Sequence, residues 1–146
     1  MPTPFESADL ILKLYELRRE ETMRKAREFV AGLDPRSVED FMAAAMGPQG
    51  NYVRMVYGYW DMAAALVVNG AIDATMFDEA YGEHIGVYAK AEPFLEQFRK
   101  VLNNPGFLKS LEKVCNEMRD GAARVIATRE RSRQQIAARA AMNKTA

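Results

Sequence analysis

The stretch NYVRMVYGYWDMAAALVV, residues 51–68, carries two charged side chains, Arg54 and Asp61. It has the length of a helix of about five turns, and apolar side chains cover nearly all of its circumference. Such a helix is stable in water only when other helices surround it. The sequence therefore predicts a domain organised around a central helix at residues 51–69.

Helix start and stop signals recur on both sides of this segment, whereas strand patterns are scarce. Thr3, Pro4 and Glu6 provide a capping box with a proline at the first helical position, which predicts a long amphipathic helix up to about Ala31. The dipeptide Asp34-Pro35 predicts the start of a second, shorter helix. These signals predict an all-α fold.

The second half of the chain shows the same pattern. Asp73 predicts the N-cap of a helix that Pro93 breaks near Ala91. The NPG tripeptide at 104–106 predicts the start of a last helix that extends to about residue 140. Its apolar stripe contains Leu108, Leu111, Cys115, Met118, Ala122 and Val125 and then fails.

These elements predict a single all-α helical bundle of about five helices, antiparallel around the central one. The domain is expected to cover residues 1–125, and residues 126–146 are expected to form a basic helical extension that projects from it. At 146 residues the chain has room for one domain with a real core.

Charge and cysteine content narrow the function classes. Lys plus Arg and Asp plus Glu both total 20, so no global charge favours nucleic acid or an anionic membrane. From Arg119 onward, however, seven basic residues stand against two acidic ones, so the tail is basic and the body is mildly acidic. Cys115 is the only cysteine, and no stretch is long and apolar enough for a membrane span. A cytoplasmic protein without membrane contact is predicted.

The segment NGAIDATMFDEAYGEH, residues 69–84, combines carboxylates with the only histidine. In a continuous helix at 100° per residue, His84 lies on the face of Tyr81, and Glu79 and Glu83 lie at least about 100° away. A metal needs ligands that converge on one point. We therefore expect no metal site, a buried and hydrogen-bonded His84, and a solvated face of Glu79, Glu83 and Lys90.

The two charges of the central helix suggest a second hypothesis. Arg54 and Asp61 share one stripe, and Asp61 could pair with His84 across a helix interface, which would raise the histidine pKa and make a general base. A small-ligand or enzyme pocket would then include Arg54, Tyr57, Trp60, Asp61, His84 and Tyr88. The alternative is that Arg54 and Asp61 mark a narrow exposed strip or cross-link helices.

Other catalytic chemistry has little basis. Cys115 falls on the apolar stripe of the last helix, where a thiol behaves as a small hydrophobe. Glycine-rich phosphate loops, serine elbows and HExxH patterns are absent. No catalytic residue and no cofactor is predicted.

The tail RERSRQQIAARAAMNK supports two interpretations. Arginines on a projecting helix attract phosphates, so nucleic acid or an acidic protein could bind there, although aromatic residues for base stacking are absent. The residues concerned are Arg124, Arg129, Arg131, Arg133 and Arg139. Alternatively, Ile136, Ala140 and Met142 contact a second subunit.

The block YWDMAAALVVNGAIDATMFDEAYG, followed by FLEQFRK, resembles a family of bacterial helical proteins grouped as a domain of unknown function. The resemblance covers about residues 52–115. It implies an all-helical fold and brings no catalytic residue. The favoured function is a non-enzymatic interaction protein, most simply a homodimer, with nucleic-acid binding and a pocket at Asp61 and His84 as alternatives.

Overall fold

The computed structural model describes all 146 residues and contains nine α-helices, one 3-10 helix and no strand. The predicted all-α fold is confirmed, but the expected number of about five helices is wrong. The helices are α1 (Pro4–Arg18), α2 (Glu21–Ala31), α3 (Val38–Met46), α4 (Gly50–Val68), α5 (Ala74–Ala80), α6 (Glu83–Ala91), a 3-10 turn (Glu92–Phe94), α7 (Leu95–Leu102), α8 (Lys109–Glu117) and α9 (Gly121–Thr145).

The predicted first helix is divided in two. Its start is as expected, with the capping box of Thr3 and Glu6 and with Pro4 in the first turn. The chain turns at residues 19–20, where the Glu20 carboxylate accepts hydrogen bonds from the Thr22 and Met23 amides at 3.0 and 2.9 Å. A glutamate inside a charged run can therefore cap a new helix, which the amphipathic pattern does not reveal.

The segment that follows α4 is divided as well. Asp73 caps α5 as predicted, by accepting a hydrogen bond from the Met76 amide at 2.8 Å. Tyr81 then takes an extended conformation, and Gly82 is the N-cap of α6. The break predicted near Ala91 is present, with Pro93 inside the 3-10 turn.

A third break separates α8 from α9. Asp120 has a φ of 54°, and a Cβ on Gly121 would lie 2.3 Å from the Cys115 carbonyl oxygen. Only glycine fits so close to a backbone oxygen, and Gly121 therefore allows the sharp turn between the two helices. The NPG tripeptide forms a turn before α8, which begins later than predicted, at Lys109.

The core is built around α4, as expected of a helix with apolar side chains on most faces. It packs against α2, α3, α5, α6 and α8. Val56, Trp60, Ala63 and Ala64 are completely buried in it. One strip of α4 remains in contact with solvent, and its position is described below.

Most of α9 lies against the body, contrary to the expected projection after Val125. Arg129 donates to the Ala89 carbonyl at 2.7 Å, and Arg133 donates to Asp34 at 3.0 Å. Polar contacts hold this part of the helix, so an apolar stripe could not reveal them. The projecting part is residues 134–145, and a functional division at residue 125 stays a prediction.

Candidate functional site

A strip of α4 faces solvent between its neighbours. Arg54, Gly58 and Met62 are exposed and Asp61 is half-buried, which agrees with the exposed-strip alternative. A Cβ added to Gly58 would meet no atom within 4 Å. The strip therefore leaves helix backbone open to a partner.

An apolar cavity of about 380 Å³ lies on one side of this strip, between α3, α4, α7 and the loop before α8. Its two charged side chains are used locally. Asp61 Oδ1 accepts a hydrogen bond from the Leu111 amide at 2.9 Å and so caps the N-terminus of α8. Arg54 donates to the Ala45 carbonyl at 3.3 Å, at the end of α3. Apolar lining side chains include Phe41, Val53, Tyr57, Phe98, Phe107 and Leu108.

A wider apolar groove of about 650 Å³ lies on the other side, between α1, α2 and α4; we call it the α4 groove. Leu17 is 58% exposed and Met62 is 44% exposed, although both are large apolar residues. The carboxylates of Glu16 and Glu20 stand at its edge. The apolar side chains that line the groove are Leu17, Met23, Met55, Tyr59 and Met62.

His84 lies in the core and not in a cleft. It is 1% exposed, with its ring centroid 5.0 Å from that of Phe77 and 5.6 Å from that of Trp60. Neither ring nitrogen has a hydrogen-bond partner. Burial lowers the pKa of His84 to about 4, and the nearby carboxylates of Asp78 and Glu83 oppose this only in part.

The hypothesis of an Asp61–His84 pair is therefore wrong. Asp61 caps α8, His84 has no partner, and its pKa is lowered where a carboxylate pair would raise it. The six predicted pocket residues separate into two groups. Arg54, Tyr57 and Asp61 line the cavity beside α3, whereas Trp60, His84 and Tyr88 are core residues that do not line it.

Of the solvated face expected for Glu79, Glu83 and Lys90, Glu79 on α5 is exposed as expected, whereas Glu83 and Lys90 on α6 are not. Glu83 is half-buried and accepts hydrogen bonds from Arg27 at 2.6 to 3.0 Å and from Trp60 Nε1 at 3.2 Å. Burial alone would raise the pKa of Glu83, but the hydrogen bonds and charge of Arg27 lower it below its usual range. An ion pair with α2 thus anchors this helix.

Lys90 is buried too, although it was expected in the solvated face. Its Nζ donates to the Leu33 carbonyl at 2.6 Å, to the Ala31 carbonyl at 3.4 Å and to the Ser132 hydroxyl at 3.0 Å. Burial lowers the pKa of Lys90 to about 8. The ammonium group therefore joins α2, α6 and α9 without a carboxylate partner in contact.

The five arginines predicted to bind nucleic acid or a partner have two different environments. Three hold α9 on the body: Arg124 pairs with Asp78 at 2.9 Å, Arg129 with Glu92 at 2.6 Å, and Arg133 with Asp34 at 3.0 Å. Arg131 and Arg139 are exposed and make no ion pair; they line a cleft of about 580 Å³ between α2, α6 and α9, which we call the basic cleft.

Sequence reasoning missed Arg24, Arg27 and Lys90 as members of this cleft. The available signal was the spacing of Gly82, Gly86 and Lys90, four residues apart, which keeps one side of α6 free of side chains up to the lysine. Three or more His, Cys, Asp or Glu side chains are nowhere grouped as metal ligands would be. None of the helices has the length and apolar character needed to cross a bilayer.

Fold and surface define an all-helical domain that exposes an apolar groove and a basic cleft. The chain belongs to the family described as a domain of unknown function (DUF4760), whose model matches residues 4–118. This match confirms that the chain belongs to a family of unknown function, as the resemblance implied. The matched region covers α1 to α8, which is more than the resemblance covered, and α9 lies outside the matched region. No curated protein and no solved structure is significantly similar to the chain.

Proposed function

We propose that the protein is a non-enzymatic interaction protein that works as a homodimer, in which residues 134–145 of one copy occupy the α4 groove of the other. The exposed apolar groove is the observation that carries this proposal. A contiguous apolar surface on a small domain is commonly a contact site. Flexible methionine side chains at the surface, here Met55 and Met62, adapt well to a partner.

The end of α9 has the properties of a suitable occupant. Residues 134–145 follow the last hydrogen bond between α9 and the body, that of Arg133 with Asp34, and they include Ile136, which is half-buried, and Met142, which is 70% exposed. Arg139 and Lys144 give this segment a positive charge, and the groove has a net charge of −1 from Glu16, Glu20 and Arg54, although Glu16 is already paired with Arg19 at 3.1 Å. Twelve helical residues span about 18 Å, which is longer than the four-residue distance along α4 from Gly58 to Met62. The segment is therefore long enough to cover this part of the groove.

A reciprocal exchange of this kind closes as a two-fold dimer, because each copy offers one segment and one groove. Nucleic-acid binding has less support than it had from the sequence. Arg124, Arg129 and Arg133 are engaged in contacts within the chain, so phosphate groups would have to compete for them. An enzyme pocket at Asp61 and His84 has less support as well, because the two side chains do not form the hydrogen bond on which it depends.

Light scattering coupled to gel filtration tests the proposal. The full chain is expected to be a dimer, and a chain that ends at Arg133 is expected to be a monomer that keeps the contacts of α9 with the body. Gly58→Arg should also give a monomer by filling the groove. Gly58→Ala is the matched control with a single added methyl group: its Cβ meets nothing within 4 Å in the single chain, and it should weaken the dimer much less than Gly58→Arg.

Two results would overturn the proposal. A full chain that stays monomeric at hundreds of micromolar has no homodimer to explain. A dimer that survives truncation after Arg133 but is lost in Gly58→Arg would place another part of the second copy in the groove, and it would refute the assignment to α9.

A further inference from the structure

The basic cleft is a concave site with a polar lining. It has a volume of about 580 Å³ and lies between α2, α6 and α9. Only three of its fifteen lining residues are hydrophobic. Small-molecule sites commonly fall between about 300 and 1,000 Å³, but most are more apolar than this one. The ligand must therefore be recognised through charge and hydrogen bonds.

Charges in the cleft are unbalanced. Five cationic side chains face two carboxylates, which leaves a net charge of +3. The Arg27 charge is neutralised by Glu83, with N–O distances down to 2.6 Å. Arg24, Arg131 and Arg139 form no ion pair. Glu28 is the carboxylate of the lining that is left to oppose them, and Glu20, outside the cleft, also interacts with the charge of Arg24.

Lys90 adds a buried positive charge at the wall of the cleft. It contacts two carbonyl oxygens and the Ser132 hydroxyl but no carboxylate. The negative charge of Asp34 acts on Lys90, but Asp34 is itself paired with Arg36 and Arg133. Cations in a recess bordered by low-dielectric protein attract anions more strongly than the same cations on a flat surface.

The neutral groups of the cleft leave room for a ligand. Gly82 and Gly86 on α6 carry no side chains into it, and Thr128, Ser132 and Gln135 on α9 offer hydroxyl and amide groups. No aromatic residue lines the cleft, so a nucleobase would find no ring to stack on. Compact anions with several oxygens fit this lining better than nucleotides do.

We infer that the basic cleft binds a small molecule that carries at least two phosphate groups and no aromatic ring. Arg24 reaches the ligand from α2, and Arg131 and Arg139 reach it from α9, so two phosphates can be held from opposite walls at once. Guanidinium groups bind phosphate oxygens in pairs, and the lysine adds a point charge. Gln135 and Arg139 also belong to the segment proposed to enter the α4 groove of the second copy, so the anion and the dimer contact compete for that part of α9, whereas Arg24, Lys90 and Arg131 serve the cleft alone.

Inorganic pyrophosphate is the probe for this inference, in calorimetric titrations of the full chain at pH 7 and low ionic strength. Pyrophosphate should bind at least tenfold more tightly than inorganic phosphate. Arg131→Gln and Arg24→Gln should each weaken binding about tenfold. Arg119→Gln is the matched control: it removes the same charge from a fully exposed side chain outside the cleft and should leave the affinity unchanged.

A steric pair of variants separates a bound ligand from general charge screening. Gly86→Leu places a bulky side chain in the cleft and should abolish binding. Gly86→Ala fills less of the cleft and should weaken binding less than Gly86→Leu, since its Cβ would lie 3.7 Å from Thr128 Cγ2, an ordinary contact. Unfolding followed by Trp60 fluorescence verifies that each variant is folded.

Several outcomes would overturn the inference. Equal losses in Arg131→Gln and Arg119→Gln would show screening by the whole surface. Unchanged binding in Gly86→Leu would place the ligand elsewhere. Tighter binding of citrate would identify a carboxylate ligand, and tight binding of a single-stranded RNA without any binding of pyrophosphate would identify the cleft as part of a nucleic-acid surface.

Discussion

Replacement of His84 by methionine should remove a pH-sensitive component of the stability. The imidazole is 1% exposed, and neither nitrogen has a hydrogen-bond partner. Its pKa in the folded chain is about 4, against an ordinary value of 6.5. Since the unfolded chain takes up a proton first as the pH falls, stability is complete above pH 6.5 and decreases as the pH falls towards 4.

The size of this effect follows from the two pKa values. Relative to pH 7.5, the histidine lowers the free energy of unfolding by roughly 1.3 kcal/mol at pH 5.5 and roughly 2.5 kcal/mol at pH 4.5. Methionine has a similar volume and no buried polar group. At pH 7.5 the variant should therefore be as stable as the natural chain, or more stable by about 1 kcal/mol.

Urea unfolding at three pH values measures the difference, with Trp60, the only tryptophan, as the fluorescent reporter. Carboxylates titrate in both proteins, so the quantity of interest is the gap between variant and natural chain. That gap should widen from pH 7.5 to pH 4.5. Because His84 is the only histidine, its NMR signal reports the pKa directly. A constant gap, or a measured pKa near 6.5, would refute the reasoning.

Three further predictions concern other parts of the molecule. Gly58→Ala should raise the free energy of unfolding by about 0.5–1 kcal/mol, because alanine favours the helix interior more than glycine and its added Cβ contacts no other atom. A lower melting temperature of the variant would contradict this. Cys115 is fully buried and burial raises the pKa of its thiol to about 12, so Ellman's reagent should label it only in denaturant, and fast labelling of the folded chain would show an accessible thiol. At a concentration at which all chains are monomers, truncation after Val125 should lower the free energy of unfolding by about 2 kcal/mol, because the polar contacts of residues 129–133 are lost. Truncation after Arg133 should change it by less than about 0.5 kcal/mol under the same conditions, and equal effects would mean that those contacts contribute nothing.

Local signals predicted helix starts well where a side chain caps its own helix. Thr3 with Glu6 and Asp73 act through hydrogen bonds to amides three residues away, so they are visible in the sequence. The breaks at Glu20 and Gly121 were missed for physical reasons. Glutamate is a rare N-cap, and the glycine at 121 is required by a carbonyl oxygen on the preceding helix.

The candidate sites were harder to predict because their contacts are long-range. Nothing near Asp61 in the sequence shows that it caps α8, which begins 48 residues later at Lys109. Likewise, the residues near Lys90 in the sequence indicate an exposed lysine, because the parts of α2 and α9 that bury it are distant in the chain. The sequence left open whether Arg54 and Asp61 lie on an exposed strip of α4 or face another helix. Helical periodicity shows that the two residues share a face, but not which part of the structure lies against that face.

Residues 126–133 of α9 attach to the body without a single fully buried side chain. Their attachment depends on ionic and hydrogen-bonded contacts, so this half-helix should detach at a lower free energy than the domain needs to unfold, and more easily in high salt. Amide hydrogens of this segment would then exchange ahead of those in α4. Since α9 forms one wall of the basic cleft, an anion bound there slows that exchange, and the same docking equilibrium limits how tightly the anion is held.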